Sequence, residues 1–172
     1  MKKVIIAAKS DNDVIGKNED LPWKLPADEA FFKFQIRDCW LLTGRASFES
    51  PQGRELFQDR PDVIVLTRQR RYRAGPAHVA HTIDAAFQLA RSQGARRLCI
   101  LGGAQIYRQT IDRANELIIT EVHTEVAGDA FFPPIDPDGW RETAREEHRR
   151  DADNPYDYAF VRYQRRLPTG AS

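Results

Sequence analysis

Short apolar runs that alternate with segments of helical spacing constrain the fold of this chain more than any other feature. The runs occupy residues 4–8, 40–43, 63–67, 98–101 and 117–122. Each is too short for a helix, is bounded by turn formers and reads as a strand buried on both faces. Between them, residues 26–37 place Ala27, Ala30, Phe31 and Phe34 at helical spacing behind Pro26, which suits a first helical position. A second helix covers residues 83–93 and closes at Gly94. Shorter helices open after Gly44-Arg45 and after Gly102-Gly103, running to about residues 50 and 110. A weak strand is expected at 78–80, a loop at 10–25, and an irregular stretch at 51–61, where Pro, Gly and charge are frequent. Such alternation implies right-handed crossovers and a mostly parallel central sheet with helices on both faces. Residues 140–166 read instead as two long strands joined across 151–155, an antiparallel edge hairpin. The class is α/β, with one domain over residues 1–166 and a frayed tail at 167–172.

A length of 172 residues suits one domain, and 26 Lys and Arg against 25 Asp and Glu leave a net charge of +1. That balance offers no bulk electrostatic argument for nucleic acid or an anionic membrane, and the basic segment 68–73 reads as a solvated turn. No stretch approaches the roughly 20 apolar residues that span a bilayer, so no membrane segment is expected. Cys39 and Cys99 stand 60 positions apart without a CxxC, and His78, His81, His123 and His148 share no ligand spacing. Neither a disulfide scaffold nor a metal site is indicated, and a cytoplasmic location fits the cysteine usage.

In open α/β sheets ligands lie beyond the carboxyl ends of the strands. Two strand ends there pass through glycine into a helix: Leu42-Thr43-Gly44-Arg45-Ala46-Ser47 and Ile100-Leu101-Gly102-Gly103-Ala104-Gln105. Both could cradle phosphate on free helix amides, or could serve only tight strand-to-helix packing. A third end, Val65-Leu66-Thr67-Arg68, finishes in a cation. With Arg45, it favours a dinucleotide carrying a 2′-phosphate. Neither GxGxxG nor GxxxxGK[ST] is present, against an ordinary Rossmann or Walker site. Asp28 is ambiguous by spacing. It falls between Phe31 and Phe32 at the edge of an apolar arc centred near Ala27 and Phe34, which would bury its carboxylate in part; equally, it is a first-turn acid that suits the helix macrodipole.

The order of landmarks from Met1 to Arg166 resembles that of the bacterial dihydrofolate reductases. The resemblance rests on Ile6-Ala7-Ala8, Val14-Ile15-Gly16, Leu21-Pro22-Trp23-Lys24-Leu25-Pro26-Ala27-Asp28 and Gly44-Arg45 with Phe48-Glu49-Ser50. It continues through Val65-Leu66-Thr67-Arg68, Leu101-Gly102-Gly103-Ala104-Gln105-Ile106-Tyr107, Thr120 and Gly128-Asp129-Ala130-Phe131-Phe132-Pro133. It implies hydride transfer from NADPH to 7,8-dihydrofolate, antifolate inhibitors as ligands of the same cleft, and a monomer. By the same resemblance Asp28 binds the pterin, Thr120 bonds its carboxylate, Trp23 positions the proton-delivering water, and Tyr107 completes the catalytic set. Ile6, Ala8, Phe32, Lys33 and Leu56 would contact substrate, and Arg60 or Arg54 the glutamate carboxylate. The cofactor would meet Ala8, Ile15, Gly16, Gly44, Arg45, Ala46, Ser47, Leu66, Thr67, Arg68, Leu101, Gly102, Gly103, Ala104, Gln105, Ile106 and Tyr107. Residues 15–21 would form a mobile loop hinged at Gly16, with Asp129 bonding its amides.

Some positions depart from the family pattern. Glu29 stands where an apolar residue is usual, and it either borders the pocket or faces solvent. The segment 51–60 is longer than usual. Trp40 and Thr43 resemble some antifolate-resistant plasmid-borne members. Two other readings stand beside the folate one: reduction of a different pyrimidine-bearing ring, as in riboflavin-pathway reductases, and a catalytically silent nucleotide-binding module.

Overall fold

The computed structural model describes residues 1–18 and 20–170. Its elements run β1 (Lys2–Ser10), β2 (Val14–Gly16), α1 (Pro26–Gln35), β3 (Trp40–Gly44), α2 (Arg45–Glu49), α3 (Pro51–Phe57), β4 (Val63–Leu66) and β5 (His78–Ala80). They continue with α4 (Ile83–Ser92), β6 (Arg97–Ile100), α5 (Ala104–Thr110), a 3-10 turn (Ile111–Arg113), β7 (Glu116–Val122), β8 (Ala130–Phe131), β9 (Trp140–His148) and β10 (Tyr158–Arg165). One eight-stranded sheet has the order β5-β4-β3-β6-β1-β7-β10-β9. Pairings from β5 to β7 are parallel, and those of β10 with β7 and β9 are antiparallel. The α/β class and the edge hairpin read from the sequence are therefore present.

Both faces of the parallel strands are covered, which is why their sequences are apolar at consecutive positions. Ile5, Leu42, Ile64, Leu98 and Leu117 pack with Phe87, Ala90 and Ile106 of α4 and α5. Their strand neighbours Val4, Ile6, Leu41, Val63, Val65 and Cys99 turn the other way, toward Phe31, Phe32, Leu56 and Phe57 of α1 and α3. Gly94, at φ +76°, closes α4 in the left-handed conformation expected of a helix-ending glycine.

The structure corrects the sequence reading in four places. Residues 51–57 are helical, not irregular. Pro51 occupies the first turn, and the Ser50 hydroxyl caps α3 by accepting from the Gly53 amide at 3.0 Å. Gly53 is there for contact: a Cβ would stand 2.0 Å from the Ser47 carbonyl oxygen. The loop after β1 contains β2, which pairs with β8. The apolar arc of α1 is also displaced. Phe34 is 60% exposed beneath the Arg37 guanidinium, while Gln35 is buried and Phe31 and Phe32 are partly so. At 3.6 residues per turn this moves the arc by roughly 90° and places Asp28 near its middle. Finally, Gly16 does not have the left-handed backbone of a glycine-specific hinge. The glycine this loop requires is Gly128, where a Cβ would lie 2.2 Å from Val14 Cγ1 and 2.7 Å from the Gly16 carbonyl oxygen.

Leu167 is exposed, and Ala171 and Ser172 of the expected tail lie outside the described residues, as does Glu19 of the loop 15–21. Among the described residues no helix is long and apolar enough to cross a membrane, and no cluster of His, Cys, Asp or Glu could hold a metal ion.

Candidate active site

At the centre of the sheet the strand register sets Ala8 of β1 beside Thr120 of β7, and Thr120 beside Phe160 of β10. Helix α1 lies over this row, with the Phe31 ring stacked on Phe160 at 3.9 Å between centroids. That contact brings the first turn of α1 down to the strands, and the Thr120 hydroxyl donates to Asp28 Oδ1 at 2.6 Å. The sequence offered a buried carboxylate or a first-turn surface acid at this position. The structure shows the buried one.

Asp28 keeps some exposed surface, but protein atoms fill most of its surroundings. Burial pushes its carboxyl up to about 6, the Thr120 bond opposes that shift, and the neighbouring Glu29 charge adds to it. Glu29 itself is exposed. It faces solvent, and its charge reaches Asp28.

Side chains distant in sequence fix the approach of α1. Leu25, at the N-cap, has no side chain that can cap. The Ala27 amide instead donates at 2.9 Å to Asn154 Oδ1 in the hairpin connection, where the Asn154 amide groups are held by Asp151. Sequence inspection missed Asn154. No local signal could reveal it, because cap and helix are 127 residues apart. Below them Trp23 and Leu25 pack with Val122 and Tyr158. Trp23 Nε1 is buried with no hydrogen-bond partner among the described residues. Tyr107 lies on the other side of β1, its hydroxyl donating to the Ile6 carbonyl at 2.8 Å. Burial and the nearby Asp28 charge raise its hydroxyl above the ordinary tyrosine value.

The two glycine junctions meet. The Gly44 amide donates to the Gly102 carbonyl at 2.8 Å, and Leu101 donates to Leu42 at 2.8 Å. Gly102 has φ +94°, and a Cβ there would stand 2.8 Å from the Tyr107 ring, so glycine is required. A Cβ on Gly103 would face the Ser47 hydroxyl at 3.7 Å. Neither α2 nor α5 has a side-chain cap, which leaves the amides around Arg45, Ala46, Ala104 and Gln105 without a side-chain acceptor. Ile106 is buried against Gly44, while Leu101 and Ala104 are partly exposed. Arg45 pairs with Glu49 at 3.2 Å. Beyond it the Thr67 hydroxyl accepts from the Gln69 amide, Leu66 is half-buried, and Arg68 is exposed with no ion pair among the described residues.

The loop after β2 is tied at several points. The Asp129 carboxylate accepts from the Asn18 amide at 3.0 Å, its own amide donates to the Gly16 carbonyl at 3.1 Å, and Ile15 lies within β2. Gln52 of α3 donates to Asp20 Oδ1 at 2.6 Å, tying the loop to the opposite wall. The sequence foretold the Asp129 contact but not the Gln52 one.

The expected substrate contacts divide. Phe32 and Leu56, from α1 and α3, are half-buried against one apolar cluster. Lys33 is exposed on the side of α1 away from Asp28. Arg60 forms a two-bond pair with Asp62, at 2.9 and 2.7 Å, and also donates to the Cys39 carbonyl beyond the end of α1. Arg54 bonds the Glu49 carbonyl and lines a cavity of about 450 Å³ with Phe48, Gln58 and Arg73. Its helical position is about 160° from that of Gln52, which reaches the loop. Trp40, paired with the His78 ring, packs toward the sheet edge, whereas Thr43 is buried beside the Gly102 carbonyl.

Comparison with known proteins places this arrangement. Residues 3–165 match the family profile described as dihydrofolate reductase. The dihydrofolate reductase of Neisseria meningitidis serogroup A is 42% identical over 165 residues, covering 96% of this chain and 99% of that one. That of Bacillus subtilis is 35% identical over 161 residues, covering 94% and 93%. Among solved structures, dihydrofolate reductase from Enterococcus faecalis complexed with NADP(H) and RAB-propyl superimposes with a TM-score of 0.80 at 31% identity, covering 95% of this chain and 96% of that one.

Proposed function

Because the chain belongs to the dihydrofolate reductase family, an oxidoreductase of 7,8-dihydrofolate that uses NADPH, we propose that Asp28 holds the substrate's pterin ring and that the two glycine junctions hold the cofactor. One observation carries this reading: a desolvated carboxylate, bonded to Thr120, at the open end of a parallel sheet.

The residues fit the cofactor. Gly102 and Gly103 present bare backbone beside Ser47, with the adjoining helix amides uncapped, and Arg45, Thr67 and Arg68 stand where a 2′-phosphate would need cations and donors. When bound, NADPH supplies the hydride. The protein's own work is to orient two flat rings, exclude water and manage one proton. Asp28 accepts hydrogen bonds from the pterin amino group and ring N–H, and its charge makes the adjoining ring nitrogen more basic. The orphaned Trp23 N–H donates to a water that delivers the proton. Phe32 and Leu56 cover the apolar middle of the substrate. Arg60 takes the glutamate carboxylate, for which its planar fork is suited, on exchanging part of its pairing with Asp62. Residues 15–21, held by Asp129 and Gln52, shut the mouth. The chain acts as a cytoplasmic monomer, a statement that sedimentation of the purified protein checks.

Loss of absorbance on mixing the protein with NADPH and dihydrofolate tests the reaction. Asp28→Asn, which keeps the shape and removes the charge, tests the assignment. Cofactor affinity should persist while turnover falls. Turnover equal to that of the unaltered protein at neutral pH would reject the role of Asp28.

A further inference from the structure

An arginine side chain has about five N–H donors, and the fold commits most of those on Arg60. Nε and one Nη2 hydrogen go to the Asp62 carboxylate, at 2.9 and 2.7 Å, and the remaining Nη2 hydrogen goes to the Cys39 carbonyl at 3.2 Å. Only Nη1 has no acceptor among the described residues. We propose that Asp62 is a positioning residue that sets how strongly the enzyme prefers substrates with a carboxylate tail, by holding the edge of Arg60 that carries Nε and Nη2 as an internal competitor for that tail. This rests on Arg60 being the group that binds the substrate's carboxylate.

Both acceptors are built into the sheet. Cys39 and Asp62 each stand one residue before a strand, β3 and β4, and these strands pair in parallel with Leu41 beside Val63. The Asp62 carbonyl also accepts from the Leu41 amide at 2.9 Å, and Pro61 stiffens the backbone between Arg60 and Asp62. The Arg60 amide donates to the Phe57 carbonyl at 3.2 Å, which fixes the arginine to the end of α3. The Cys39 carbonyl therefore cannot swing aside without disturbing the start of β3. A two-bond contact with a carboxylate needs two parallel N–H groups, and the pair on Nη1 and Nη2 is already half taken. An arriving carboxylate makes one bond to Nη1, or makes two by displacing an Asp62 oxygen. Charge acts in the same direction. The Arg60 and Asp62 side chains are 24% and 32% exposed, and their bond holds the Asp62 carboxyl below the usual carboxylate range, so it is charged at neutral pH. A second carboxylate on the same guanidinium meets that charge where water screens it only in part. Asparagine at this position separates competition from mere orientation, because it keeps an oxygen that accepts from Arg60 and removes the charge.

The test compares Asp62→Asn with the unaltered enzyme on dihydrofolate and on 6-methyl-7,8-dihydropterin, which has the ring and no tail. The ratio of kcat/KM for dihydrofolate to that for the dihydropterin should rise about 5-fold, through a lower KM for dihydrofolate and not through kcat. The same substitution added to Arg60→Gln should give no such gain, because the competitor then has nothing to compete for. A ratio that is unchanged or lower in Asp62→Asn overturns the proposal, and so does an equal gain in the Arg60→Gln background. Should Asp62→Asn melt below the assay temperature, Asp62→Ser, which also removes the charge, is read by the same ratio. Arg60→Gln alone keeps the two levels apart. A KM for dihydrofolate raised more than that for the dihydropterin upholds the carboxylate reading whatever Asp62→Asn does, whereas equal losses on both substrates remove that reading and the proposal with it.

Discussion

At the α1 end of the cleft the charge is a single carboxylate, half-buried, bonded to one hydroxyl and shifted by desolvation; at the α2 end Arg45 and Arg68 stand in or near solvent beside bare backbone. The two ends thus handle charge by opposite means. A pair of unit charges about 4 Å apart is worth roughly 1 kcal/mol in water but about 4 kcal/mol where the effective dielectric is near 20. One acid in a dry setting can therefore alter the basicity of a ring, whereas solvated arginines can only add affinity and select for a phosphate. The ends also differ in support. Asp28 is positioned by side chains of β7 and β10 and by a side-chain cap from the hairpin connection, whereas the two glycine junctions are joined to each other by backbone bonds, Gly44 to Gly102 and Leu101 to Leu42.

Experiments can break or sharpen this contrast. The largest effect is expected at the buried acid: Asp28→Asn should cut turnover by about 100-fold or more in the NADPH absorbance assay, the usual scale for lost acid-base assistance. The same substitution should stabilise the protein. A carboxyl raised in the folded state binds its proton more tightly there than in the unfolded chain, so stability is present below the unfolded value and is lost as pH rises through about 6. Removing the charge should therefore restore on the order of 1–3 kcal/mol at pH 7 and nothing at pH 3, read from denaturant melts at both.

Next in size is the solvated end. Arg68→Ala should weaken NADPH about 10-fold and NADH hardly at all, and the gap should narrow with added salt. Equal losses for the two cofactors would remove the phosphate assignment. Thr120→Val should shift the Asp28 carboxyl further upward, because the lost hydroxyl bond stabilised the charged form; infrared or NMR titration of the carboxyl gives the direction. A downward shift would contradict that account. The smallest effect concerns support: Asn154→Ala should cost about 1 kcal/mol of stability, the usual value of a helix cap, and should change KM for dihydrofolate more than that for NADPH. Equal changes in both would show that α1 is held by its packing and not by the cap.

Much of the cleft was legible in the chain. Strand positions followed from runs apolar at every residue, and the glycine junctions followed from small residues at strand ends. The acid was visible too, with its burial left as one of two alternatives; what was misplaced is the centre of the apolar arc, because Phe34 was counted among the core residues and instead stands in solvent under Arg37. Helix α3 was hidden by its own Pro51 and Gly53, residues that usually break structure and here serve a first turn and a close backbone contact. Arg54 and Arg60 could not be ranked by spacing, and the structure gives them different partners, the Glu49 and Cys39 carbonyls.

The sequence by itself determined the α/β class, the order of strands and helices along the chain, and the residue types present at each strand end, since these depend on periodicity and on conformational limits local to a few residues. Tertiary structure alone decided which groups meet: Thr120 with Asp28, Asn154 with Ala27, and Gln52 with Asp20. Those contacts span tens to more than a hundred positions, and it is the exclusion of water at the Asp28 contact that gives a carboxylate properties it lacks in the open chain.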